Sequence, residues 1–214
     1  MPLFYQQNIN ETTRLAVWKI EETENFFQLS VPLHKGITHP HKRLQHMAGR
    51  YLLPYLFPDF PNNEIEIADT RKPYLPDEQY HFSISHCANF AAAIVSSNQR
   101  VGIDIEWATP RVEKIKHKFL NIEELAFVHA HEIQAQVNLL TVLWGTKEAM
   151  FKWWGSGDVD FREALLTKPF LFGDKGMITA TFSKDKVEIP LDIHFLLKDG
   201  LSLAWVVSKG ELRV

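Results

Sequence analysis

The apolar residues of this chain change their period part-way along, and that change restricts the fold more than any other property. Between residues 44 and 56 the positions Leu44, Met47, Ala48, Tyr51, Leu52, Tyr55 and Leu56 recur at steps of three and four, the spacing of one helical face. Pro54 interrupts the pattern and belongs in its last turn. From residue 80 to 107 the period falls to two. Residues 80–85, 90–96 and 101–107 read as strands of a short antiparallel meander, with a break at 86–89 and a turn at 97–100. After Pro110 the pattern is helical to about Trp154, closed by Gly155 and Gly157, and residues 177–182, 193–197 and 201–208 return to strands. Helix followed by strands thus occurs twice, which makes the chain α+β and divides it into two similar halves, 1–98 and 99–214.

Composition narrows the function. Lys and Arg number 23 against 26 Asp and Glu, so bulk attraction to nucleic acid or an anionic membrane is not expected. The single cysteine, Cys87, excludes a disulfide framework and a Cys-rich zinc site and suits a reducing compartment. The N-terminus does not read as a secretory signal, and no apolar run approaches the roughly 20 residues that span a bilayer. A soluble, cytoplasmic protein is therefore expected. Neither a phosphate-binding glycine loop nor a zinc-hydrolase spacing is present, His129 and His131 standing two apart. Phe4, Trp18, Phe26 and Phe27 read as core.

Five places carry chemistry. In the strand 101–107, Val101, Ile103 and Ile105 alternate with Gly102, Asp104 and Glu106, so both carboxylates share a face. Such a pair either holds a hard cation or forms the exposed face of an amphipathic strand. Gly102 marks close approach by a ligand or another backbone. In the helix, Trp144, Glu148 and Lys152 stand at i, i+4 and i+8. This stripe is either a surface ion pair or a metal ligand or base beside a phosphate-binding lysine. His39, Arg43, His46 and Arg50 lie on one stripe of the earlier helix, with Lys42 beside it, a solvated edge or a phosphate grip. Ser85 and His86 end the strand FSISH, and Arg71 and Lys72 precede Pro73.

In order, RKPYL at 71–75, FSISH at 82–86, GIDIE at 102–106 and WGTKEAMFK at 144–152 resemble the 4′-phosphopantetheinyl transferases, specifically the long, monomeric Sfp-type group. The resemblance spans residues 42–157. It implies two α/β halves related by pseudo-twofold symmetry, the first contributing coenzyme A contacts and the second the metal-binding acids. It further implies that Asp104, Glu106 and Glu148 hold Mg²⁺ on the pyrophosphate of coenzyme A, that Lys152 contacts the phosphates, and that Ser85 and His86 reach a coenzyme A phosphate. Lys72 and Arg50 fall on family cations, with Arg43 and Arg71 as further candidates. Ser83 and Cys87 depart from the family's Asn and Ser. The implied reaction moves phosphopantetheine from coenzyme A to a serine of an apo acyl or peptidyl carrier protein and releases adenosine 3′,5′-bisphosphate. Glu148 is the candidate base, directly or through a water, a hydroxide on the ion being the alternative; Lys152 and His86 hold phosphate oxygens. A silent coenzyme A-binding module and a metal-assisted phosphohydrolase are the competing functions.

Overall fold

The alternating segments of the sequence form antiparallel sheets, and the long helical segments lie across them. The computed structural model describes residues 2–31 and 36–208 and divides into two units, Met1–Val101 with Ser208–Val214, and Gly102–Val207. The α+β class expected from the two periods is the one observed.

The first unit contains β1 (Leu3–Asn8), β2 (Thr13–Lys19), α1 (Glu24–Gln28), α2 (Pro40–Leu56), β3 (Glu66–Ile67), β4 (Pro73–Tyr74), β5 (His81–Cys87) and β6 (Phe90–Ser96). Its main sheet runs β1-β2-β6-β5 with antiparallel pairs throughout. Pro40 opens α2, where its fixed φ suits the first turn, and Pro54 falls in the last turn. The apolar face of α2 buries Met47, Ala48, Leu52, Leu53 and Leu56 against Ala16, Trp18, Ala91, Ala93 and Val95. Gly49 lets α2 settle onto β5, since a Cβ there would stand 2.5 Å from Ile84 Cγ2. Of the four aromatics read as core, Trp18 and Phe27 are buried and Phe4 packs edge-on to Phe90, whereas Phe26 is 40% exposed.

The second unit contains β7 (Val101–Trp107), α3 (Arg111–Phe119), α4 (Ile122–His129), α5 (Ile133–Trp154), β8 (Leu165–Thr167), β9 (Lys175–Lys184), β10 (Val187–Lys198) and β11 (Leu201–Val207), with strand order β7-β11-β10-β9-β8. The 22-residue α5 packs across β11 and β10 and stops at Gly155, whose φ of 76° is the left-handed conformation that closes a helix. No helix among the described residues is long and apolar enough to cross a membrane.

Two expectations are corrected. Residues 101–107 do not extend a meander with 80–96: the edge of β6 away from β5 is taken by β2, in register from Thr13 with Ser96 to Lys19 with Phe90, and β7 instead lies beside β11. Strands also precede the helices in both units. β2 was not legible as a strand because four consecutive residues, Leu15–Trp18, are buried, and a strand covered on both faces shows no alternation.

Candidate active site

Backbone proximity builds the site before any side chain does. A Cβ on Gly102 would lie 2.0 Å from the Ala149 carbonyl oxygen and 2.9 Å from Trp153 Cβ, so only glycine lets β7 meet α5 at this level. The close approach expected of Gly102 is thus one of backbone on backbone. Because the strand period is two, Asp104 and Glu106 leave the same face as Gly102 and meet the next turns of the helix. The reading of 101–107 as a strand with an exposed polar face fails, since Asp104 is 2% exposed.

Lys152 donates to Asp104 Oδ1 at 2.5 Å, with the lysine a quarter exposed and the carboxylate buried. Trp144 Nε1 donates to Glu106 Oε1 at 3.3 Å, and the indole is held between Phe119, edge-on at 5.1 Å, and Phe161, stacked at 5.7 Å. Burial pushes the Glu106 carboxyl up to about 7, the Asp104 charge adds to this, and the Trp144 bond and Lys152 oppose it. Glu148 also rises to about 7, through burial first and the Asp104 charge next, with Glu106 adding and Lys152 opposing. Asp104, Glu106, Glu148 and Lys152 therefore form one electrostatic group on facing parts of β7 and α5. No set of three or more His, Cys, Asp or Glu side chains among the described residues is closed into a ready metal cage. The donor chemistry nonetheless fits a hard divalent cation: all three acids offer oxygen, and burial together with the Asp104 charge raises Glu106 and Glu148 to about 7.

The residues assigned in the first unit have separate surroundings. Arg43 is committed to Glu24, its Nε donating to both carboxylate oxygens at 3.0 and 2.9 Å and its Nη1 to the Ile37 carbonyl at 3.2 Å. Arg50 is buried; its Nη1 reaches the Asn62 carbonyl at 3.4 Å, and its Nε has no hydrogen-bond partner among the described residues. The basic stripe of α2 is thus neither a uniform solvated edge nor a uniform grip. Ser85 is buried and His86 exposed, as neighbours on β5 facing opposite ways must be. Arg71 is exposed with a positive φ of 66°, and burial together with Arg100 holds the Lys72 ammonium down at about 8.

The sequence reading passed over Lys147, which is fully buried against Glu124 at 2.7 Å. A signal existed: Lys147 falls on the stripe of Leu140, Leu143 and Met150, a core-facing position for a charged residue. Its partner Glu124 closes a capping box with Asn121, a pattern of N-x-x-E also open to reading.

With the geometry described, comparison with known proteins shows what part of the chain resembles. Residues 100–203, just under half of the chain, match the family described as the 4′-phosphopantetheinyl transferase superfamily. The matched segment nearly coincides with the second unit. Among similar proteins is the enterobactin synthase component D of Salmonella austin, 40% identical over 65 residues, covering 30% of this chain and 27% of that protein. The 4′-phosphopantetheinyl transferase gsp of Aneurinibacillus migulanus is 32% identical over 110 residues, covering 50% and 45%. The 4′-phosphopantetheinyl transferase AcpT of Escherichia coli K12 is 29% identical over 114 residues, covering 52% and 57%. The chain thus spans from about a quarter to somewhat over half the length of these relatives.

Proposed function

We propose that the protein is an Sfp-type 4′-phosphopantetheinyl transferase, a monomeric cytoplasmic enzyme that moves phosphopantetheine from coenzyme A to a serine of an apo acyl or peptidyl carrier protein. The observation that carries this reading is the grouping of Asp104, Glu106, Glu148 and Lys152 across β7 and α5.

Asp104, Glu106 and Glu148 would hold the divalent cation, with Mg²⁺ the expected ion. When bound, such a cation neutralises pyrophosphate charge and favours the in-line transition state. The chain's own groups do the rest. Glu148 takes the proton of the serine hydroxyl, directly or through a water, as its oxygen attacks the β-phosphorus. The new serine O–P bond forms as the pyrophosphate P–O bond breaks, and adenosine 3′,5′-bisphosphate leaves with the electron pair. Lys152, at the partly exposed end of its pair with Asp104, donates to phosphate oxygens. In the first unit Arg50, Lys72, Ser85 and His86 are assigned to coenzyme A phosphates. Arg71 is a weaker candidate, and Arg43 the weakest because Glu24 already occupies its fork.

The test incubates the protein with coenzyme A, Mg²⁺ and a panel of apo carrier proteins and reads the carriers by mass spectrometry. One carrier should gain a phosphopantetheine, and Asp104→Ala should abolish the gain while circular dichroism stays native. An Asp104→Ala protein with full activity sinks the reading. Coenzyme A binding without transfer to any carrier favours the silent module, and release of free phosphopantetheine favours the hydrolase.

A further inference from the structure

Lys147 lies one residue before Glu148, yet it is 0% exposed and can touch no ligand. Its ammonium has three N–H donors, and the structure occupies them with the Phe119 carbonyl at 2.6 Å, Glu124 Oε2 at 2.7 Å and the Phe161 carbonyl at 2.9 Å. Glu124 is equally saturated. Its Oε1 accepts from Thr167 N at 2.9 Å and Thr167 Oγ1 at 2.7 Å, and its Oε2 also accepts from Asn121 N at 3.0 Å. One buried ion pair therefore ties the end of α3, the start of α4, the segment before β8 and β8 itself to α5.

Stability alone does not require this arrangement, because a well-packed apolar pair often replaces a buried ion pair at little cost. What an apolar pair cannot do is bind two backbone carbonyls from separate segments to a single point. Those two carbonyls belong to Phe119 and Phe161, whose rings grip Trp144 from two sides. Trp144 in turn donates to Glu106 at 3.3 Å, a long bond that a small displacement of the indole would break.

We infer that Lys147 is a positioning residue for Glu106, acting through the backbones of Phe119 and Phe161 and the indole of Trp144. The consequence for cation binding rests on the reading of Glu106 as a cation ligand; the mechanical chain does not. Partners that orient ligands from behind are worth about ten- to a hundredfold in metal affinity, and Lys147 is such a partner at one further remove.

The test uses the full chain and Mn²⁺ alone as probe, with two readouts: the indole Nε1–H resonance of Trp144 and the Mn²⁺ affinity by calorimetry. Lys147→Met strands the Glu124 charge and should melt early. Lys147→Met/Glu124→Gln removes both charges, keeps the Thr167 contacts and should recover much of the melting temperature. In that folded double variant the resonance should move and Mn²⁺ should bind about tenfold or more weakly. Phe161→Leu, which keeps the carbonyl for Lys147 and deletes the ring beside Trp144, should produce the same pair of changes. An unmoved resonance, or an unchanged Mn²⁺ affinity, in either folded variant overturns the proposal. If the wild-type chain binds no Mn²⁺, the cation reading falls, and the resonance alone decides the positioning role: displaced, it supports it, and unmoved, it overturns it.

Discussion

Glu106 and Glu148 hold protons that an exposed carboxyl would release. Their folded pKa values near 7 stand above the ordinary 4.5, so between those pH values the folded chain binds more protons than the unfolded one. Their contribution to stability is fully present below about 4.5 and is lost as pH rises through 7. In chelator, the melting temperature is therefore expected to fall between pH 5 and 7.5, and Glu148→Gln should shrink that fall. Added divalent cation should stabilise more at pH 7.5 than at pH 5. A flat profile in thermal melts would refute the shared burial of these charges. Lys72 titrates in the other sense: held at about 8, it loses charge as pH rises through 8. If the proposed function holds and Lys72 meets a coenzyme A phosphate, coenzyme A affinity measured by calorimetry should weaken from pH 7 to 9, and Lys72→Arg should flatten that decline because guanidinium stays charged. The acids were legible at this scale, since alternation in the strand 101–107 put Asp104 and Glu106 on one face. The core-facing position of Lys147 was legible from its helical stripe, but its pairing was not, because Glu124 lies 23 residues away.

At the scale of elements, two contacts decide the geometry. The approach of β7 to α5 depends on Gly102, and Gly102→Ala would force the strand from the Ala149 carbonyl. Overpacking of this kind costs about 1–3 kcal/mol or more, so chemical denaturation should show a large loss of stability, and Lys152 should lose its hold on Asp104. The second contact is the β5–β6 turn, where Ala88 sits at φ 44°, a left-handed conformation that penalises a Cβ. Its carbonyl lies 2.7 Å from the donating Gln45 Nε2 and 3.0 Å from His41 Nε2, so α2 holds the strained turn that follows Ser85 and His86. Ala88→Gly is expected to stabilise the protein by about 1 kcal/mol in the same denaturation experiment; a loss would show that the turn carries no strain. Helix periodicity announced α2 from residue 44 onward and one helical stretch from 110 to about 154, which the structure divides into α3, α4 and α5. It did not announce β2, because a run buried on both faces erases the alternation that marks a strand.

For the molecule as a whole, the superfamily match lies almost entirely on the second unit, which also carries the acids and Lys152. If the proposed function holds, coenzyme A and a divalent cation together should raise the melting temperature more than either alone. A ligand at about 100 times its dissociation constant contributes about 2.7 kcal/mol, a shift of several degrees for a chain of this length. The amino-acid sequence by itself determined the α+β class, the α2 helix, the helical character of 110–154, the acid face of β7 and the order of motifs, because each depends on residues close together along the chain. Only tertiary structure decided that β7 joins β11 rather than β6, that Arg43 is taken by Glu24, and that Lys147 is locked beneath the site. Those outcomes depend on competition between distant segments for one sheet edge or one counter-charge, and local periodicity contains no term for a partner that arrives from elsewhere in the chain.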